Sequence, residues 1–132
     1  MINLNNDFKE IKNFRNIQSN LTEESAIYIF VSENPISRLV GESNILKIGE
    51  TNNLRRRMTR YFRVNDISTI KDKASRQTAY HIRNYLDNKS SGYVKLLVKY
   101  CNKENLKKEE KELINLYLKE HFEVPPLNMS RK

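Results

Sequence analysis

The apolar positions of this chain fall into blocks, some with the alternating period of a strand and some with the longer period of a helix. Ala26-Ile-Tyr-Ile-Phe-Val31 is β-branched and aromatic with no breaker, which predicts a strand. Ile45 to Glu50 predicts a second short strand, ended by Gly49 and the polar Thr51-Asn52-Asn53. Between them Ser32 to Ser43, with Pro35 and Gly41, reads as a connection, short enough to make the two strands an antiparallel pair. Gly92 to Tyr100 predicts a third strand. Helical spacing predicts helices over 7–18 (Phe8, Ile11, Phe14 or Arg15, Ile17 or Gln18), 53–63 and 76–87 (Ala79, Ile82, Tyr85, Leu86). Lys103 to Phe122 is the longest predicted helix, and Pro125-Pro126 ends it. Stretches 19–25 and 64–75 are polar and read as loops. The expected fold is one α/β domain over 1–132, a small three-stranded, mainly antiparallel sheet flanked by helices.

The informative residues are polar ones in apolar phase. On the last helix Leu106, Leu113 and Tyr117 form a stripe, and Glu110 falls on it while Glu109, Lys111 and Glu112 point elsewhere. A carboxylate on an inward stripe is costly unless it is paired or binds a metal. From Thr51 to Arg63 there are five arginines and no acid. Leu54, Met58 and Tyr61 make the inner stripe of that helix, and Arg57 sits on it. Arg56, Arg60 and Arg63 face the other way, as a phosphate-contacting ridge would. In the strands, Ile27, Ile29 and Val31 share one face, as do Leu46 and Ile48, which leaves Tyr28, Lys47 and Gly49 on the opposite side. Each feature also has a plainer reading. Glu110 would be an edge-of-core salt bridge, Tyr28 an ordinary aromatic packed beside Phe30, Lys47 a solvated strand residue, and the outer arginines a hydrated helix face.

Charge narrows the classes of partner. Lys and Arg number 24 against 16 acids, a formal net charge of +8, which favours a polyanion, nucleic acid before membrane. No run approaches the roughly 18 apolar residues of a membrane span, and the N-terminal residues carry no apolar signal-peptide core. The single cysteine, Cys101, excludes an intrachain disulfide and a thiolate zinc site, so a cytoplasmic setting is expected. The chain has no P-loop and no dinucleotide fingerprint, and its two histidines, His81 and His121, lack ligand spacing.

Five short motifs, in order, resemble those of the GIY-YIG nucleases. Ala26-Ile27-Tyr28 stands where the family has Gly-Ile-Tyr, and Lys47-Ile48-Gly49 where it has Tyr-Ile-Gly. Asn53-Leu54-Arg55-Arg56-Arg57, followed by Tyr61, resembles its Asp-Leu-x-x-Arg helix with a His or Tyr one turn on. Glu110-x-x-Leu113-Ile114 resembles its metal-binding Glu-x-x-Leu-Ile, and Pro125-Pro126-Leu127-Asn128 its closing Pro-x-aromatic-Asn. The match spans about residues 24–129. The departures are Ala26 for Gly, Lys47 for Tyr (some restriction-type members look similar in carrying Lys there) and a longer link between the first two strands.

The resemblance implies an endonuclease that hydrolyses phosphodiesters in DNA with one divalent ion, Mg2+ or Mn2+, held by Glu110. It implies catalytic roles for Tyr28, Lys47, Arg57, Tyr61 and Asn128. Arg57 would bind the scissile phosphate, Tyr61 would hydrogen-bond the phosphate or the nucleophile, and Asn128 would orient the site. Either Tyr28, with its pKa lowered by the Lys47 cation, or Lys47 itself would be the base. DNA contacts are expected from Arg55, Arg56, Arg60, Arg63, Lys71, Lys73, Arg76 and Arg83, with residues 64–90, Lys89 included, contributing to substrate choice. The rival readings are a repair or mobile-element nuclease rather than a restriction enzyme, a catalytically impaired DNA-binding module, and a basic interaction protein. A free-standing nuclease is expected, with no membrane partner and an oligomeric state left open, a homodimer included.

Overall fold

The computed structural model describes residues 4, 7–14, 21–87 and 94–128, with the backbone alone at 85–87. Strands β1 (Lys9–Glu10), β2 (Ala26–Ser37), β3 (Glu42–Thr51) and β4 (Val94–Tyr100) form one sheet in the order β1-β4-β2-β3, every pair antiparallel. Helices α1 (Leu54–Phe62) and α2 (Lys73–Asp87) cover one face, where Leu54, Met58, Ala79 and Ile82 bury against Tyr28, Phe30, Leu96 and Val98. Helix α3 (Leu106–His121) covers the other, with Tyr117, Leu113 and Ile114 against Ile29, Ile48 and Leu97. The class is α/β, as expected, but the sheet has four strands rather than three.

The extra strand comes from a segment whose spacing predicts a helix. Lys9 and Glu10 pair with Val98 and Leu97, and Ile11 N–H donates to Leu96 O at 2.9 Å. Residues 12–14 then turn, and Ile11 and Phe14 are buried in the core. A helix this short is marginal in water and would leave the β4 edge unpaired. Pairing to that edge satisfies the backbone and still buries both apolar side chains. Residues 15–18 of the expected helix, together with Lys89, Gly92 and Tyr93, lie outside the described residues, as do the side chains of Tyr85 and Leu86.

Three smaller differences matter for the site. The expected connection over 32–43 is mostly strand. Ile36 and Ser37 pair with Ser43 and Glu42, and the turn closes through Arg38 N–H to Gly41 O at 2.9 Å, with Gly41 at φ 70. Pro35 is tolerated because it falls inside the register shift between Val31 and Ile36, where no ladder N–H is required. Helix α2 begins at Lys73, not at residue 76, because Asp72 caps it by accepting from Ser75 N–H at 3.1 Å. Phe30 pairs with Lys47 and Val31 with Ile45, so Leu46 is a bulge residue. The bulge breaks the simple alternation. Leu46 packs with Phe30 in the α1 and α2 layer, while Ile48 packs under α3.

Candidate active site

Strand β3 is a sheet edge, and a cavity of about 470 Å3 wraps around it. Tyr28, Lys47, Arg57, Tyr61, Glu110 and Asn128, drawn from β2, β3, α1, α3 and the tail after α3, all line this cavity. The register explains the strand pair. Tyr28 lies opposite Gly49 and Phe30 opposite Lys47, so Tyr28 and Lys47 do share a sheet face.

Gly49 is the residue that lets Tyr28 reach the cavity. A Cβ at position 49 would stand 2.3 Å from Tyr28 Cζ and 2.5 Å from its Oη. The phenol lies on the bare backbone of β3, and only glycine leaves that space. Gly49→Ala is expected to displace Tyr28 and lower stability by roughly 1–3 kcal/mol, the cost of overpacking a filled core. Thermal melts would measure the loss, and a wild-type melting temperature would refute this account of Gly49.

Tyr28 is fully buried and its Oη is 2.7 Å from Tyr61 Oη. Burial pushes the Tyr28 pKa well above 10.0, Tyr61 and Glu110 push the same way, and Arg57 is the cation that opposes them. The expectation that Lys47 lowers the Tyr28 pKa is therefore not met. Desolvation outweighs the attraction that would favour phenolate, and the opposing cation comes from α1. Burial also works against the Arg57 charge. The phenols of Tyr28 and Tyr61 around it more than compensate, and its pKa rises, so the guanidinium is charged at every accessible pH. A pair of hydrogen-bonded hydroxyls facing a fixed cation can position an anion.

A raised phenol pKa has a stability consequence. Above pH 10 the unfolded chain loses the Tyr28 proton while the folded chain keeps it, so the folded state binds more protons and stability falls as pH rises. The contribution is complete below the unfolded value and is lost towards the folded one. Tyr28→Phe is expected to flatten the fall in melting temperature between about pH 9 and about pH 11 relative to wild type. Parallel curves would contradict the burial argument.

Asn128 does not present its amide to the cavity for chemistry. Its Oδ1 accepts from Ile48 N–H at 2.8 Å and its Nδ2 donates to Ile48 O at 2.8 Å, replacing the strand that the β3 edge lacks. With Leu127 N–H donating to Leu46 O at 2.8 Å, the tail is stitched along the edge, and Lys47 Nζ reaches Leu127 O at 3.4 Å. Asn128 is thus a positioning residue rather than a catalytic one. Glu110 and Glu109 separate as the helical phase requires. Glu109 leaves the site and pairs with Lys99 Nζ at 2.6 Å on β4, which holds its carboxyl below the usual range.

Sequence reasoning missed two carboxylates of the cavity, Glu50 and Asp72. Asp72 sat in a stretch read as loop, and its three-residue spacing to Ser75 was the signal that could have found it. Ser75 Oγ donates to it at 2.6 Å, and that bond holds its pKa down, with a smaller pull from Arg57. The cavity carries two cations, Lys47 and Arg57, against three carboxylates, Glu50, Asp72 and Glu110. An anionic substrate cannot enter such a site favourably without a further positive charge. Among the described residues no three His, Cys, Asp or Glu side chains gather as a metal cage. A hard cation with one protein carboxylate and remaining ligands from water and substrate phosphate suits this donor set, as Mg2+ does.

The expected DNA-contacting cations divide. Arg55 Nε donates to Leu21 O at 2.9 Å, Arg76 to Ile70 O at 2.9 Å and Arg83 Nε to Tyr61 O at 2.7 Å, so these three brace the fold through backbone carbonyls. Arg56, Arg63, Lys71 and Lys73 are exposed and Arg60 is half-buried. No family model, curated protein or solved structure matches this chain. Among the described residues no helix is long and apolar enough to cross a membrane.

Proposed function

We propose that this chain is a metal-dependent DNA endonuclease of the GIY-YIG type, a cytoplasmic phosphodiester hydrolase. The observation that carries the reading is the gathering of Tyr28, Lys47, Arg57, Tyr61 and Glu110 from four separate elements around one cavity, with Asn128 fastening its edge. Chance motif matches would have no reason to converge. Arg57, permanently charged, binds the scissile phosphate and stabilises the charge that grows on it. The Tyr61 hydroxyl and that of Tyr28, which burial keeps protonated, orient that phosphate and the attacking water by hydrogen bonds. Lys47 Nζ, on the same face and held near Leu127 O, takes the proton of the attacking water after first releasing its own proton to solvent. Glu110 would hold a divalent ion, Mg2+ or Mn2+, which would supply Lewis-acid charge relief in a cavity where carboxylates outnumber cations.

Conversion of supercoiled plasmid to nicked or linear form in Mg2+ or Mn2+, and not in EDTA, is the expected result. Binding without cleavage in either metal would support the second reading, a DNA-binding module, which the buried neutral Tyr28 and the Lys at position 47 favour. Lys47→Met keeps chain length and removes the amine. It should slow cleavage by roughly a hundredfold or more, the scale of a lost proton acceptor. Raising the pH should not rescue it, because Lys47 is itself the base in this reading and burial holds the Tyr28 pKa well above its ordinary value. Recovery at high pH would return the base role to Tyr28.

A further inference from the structure

Two neighbouring cavities share lining residues with the one described. On one side, a space of about 350 Å3 is lined by Arg60, Lys71 and Asp72, and it shares Asp72 with the central cavity. On the other, a space of about 440 Å3 is lined by Arg56, Lys103 and Lys107, and it shares Glu50 and Arg57 with the centre. Glu104 also lines this second space, so its three outer cations stand against two carboxylates. The cations come from the outer face of α1, the turn before α2, the turn before α3 and the start of α3. Among the described residues none of Arg56, Arg60, Lys71, Lys103 and Lys107 pairs with a carboxylate, whereas Arg38, Arg55 and Lys99 each do.

We infer that one DNA strand crosses the molecule along this trough, with phosphates flanking the central one held by Arg60 and Lys71 on one side and by Arg56, Lys103 and Lys107 on the other. The inference rests on the nuclease reading for the central phosphate, and it assigns Lys103 and Lys107, which belong to none of the five motifs. The charge pattern suits a repeating anion. A single small anion would occupy the centre alone, where carboxylates outnumber cations. A polyanion gains its affinity from the cationic flanks and is held over a centre that the metal completes. The trough also explains why Arg55, Arg76 and Arg83 are committed to backbone carbonyls while their neighbours are not.

The test is binding of a short fluorescein-labelled DNA duplex by anisotropy, in EDTA and over a range of salt. The double variants Arg60→Gln/Lys71→Gln and Lys103→Gln/Lys107→Gln are compared with an off-trough control, Lys95→Gln/Lys119→Gln, whose lysines are exposed elsewhere. Each trough variant should lower the slope of log affinity against log salt by about two, one for each phosphate left without its cation, and the control by much less. Equal slope changes in all three, or none in the trough pairs, would overturn the path. Plasmid cleavage by the wild type is read separately. A failed path with intact cleavage leaves the nuclease reading standing, and trough-specific slope changes without cleavage overturn the nuclease reading and keep the path. Absence of DNA binding by the wild type overturns both.

Discussion

A Glu110→Ala protein is expected to bind DNA about as well as wild type and to leave supercoiled plasmid uncut in Mg2+ and in Mn2+. Glu110 lies on the inward stripe of α3 between Leu106 and Leu113 and lines the cavity beside Tyr28 and Arg57. It is the carboxylate there that the family resemblance assigns to the metal. Losing several kcal/mol of charge stabilisation corresponds to a drop of roughly a thousandfold or more. Removing a negative group from a site that must receive a phosphate does not weaken binding by itself, so cleavage and affinity separate. Glu109→Ala is the matched control one position away. It breaks a half-buried pair with Lys99 that lies away from the cavity, and should change stability by about 1 kcal/mol and leave cleavage near wild type. Cleavage at wild-type rate by Glu110→Ala, or equal impairment in both variants, would remove Glu110 from the metal role.

Arg57→Ala is the second large effect expected, a fall in cleavage of roughly a hundred- to a thousandfold, the scale of one missing charged donor to a transition-state oxyanion. Arg56→Ala and Arg60→Ala should instead weaken binding and lower its salt slope by about one each, with turnover of bound DNA nearly intact. The contrast follows from position. Arg57 lies within the cavity against Tyr28 and Tyr61, while Arg56 lines the flank and bonds Asn52 Oδ1 at 2.8 Å. Arg57→Lys should not restore activity, since a point charge lacks the planar fork that clamps two oxygens. The defect should be pH-independent, because the wild-type guanidinium does not titrate in the accessible range. Melting curves check that the variant folds. If all three variants cut equally poorly, Arg57 has no separate role.

Local pattern was enough for the elements that carry the site. Ala26 to Val31 is a β-branched and aromatic run with no breaker, and it is β2 through its buried half. The stripe Leu54, Met58 and Tyr61 is buried in α1, with Arg57 in phase as its spacing required. Glu110 separated from Glu109 for the same reason, since side-chain direction on a helix is fixed by position alone. Tertiary structure decided what depends on partners remote in sequence. Residues 9–10 became strand because the β4 edge was open to them. Leu46 changed face because β3 holds one residue more than β2 opposite it. Asn128 acquired its role from the unpaired edge at Ile48, and Arg55, Arg76 and Arg83 acquired theirs from the carbonyls of Leu21, Ile70 and Tyr61. The Tyr28 pKa belongs to this second group as well. An amino-acid type sets a reference value near 10, but desolvation is a property of everything packed around the ring, and no single stretch of sequence encodes it.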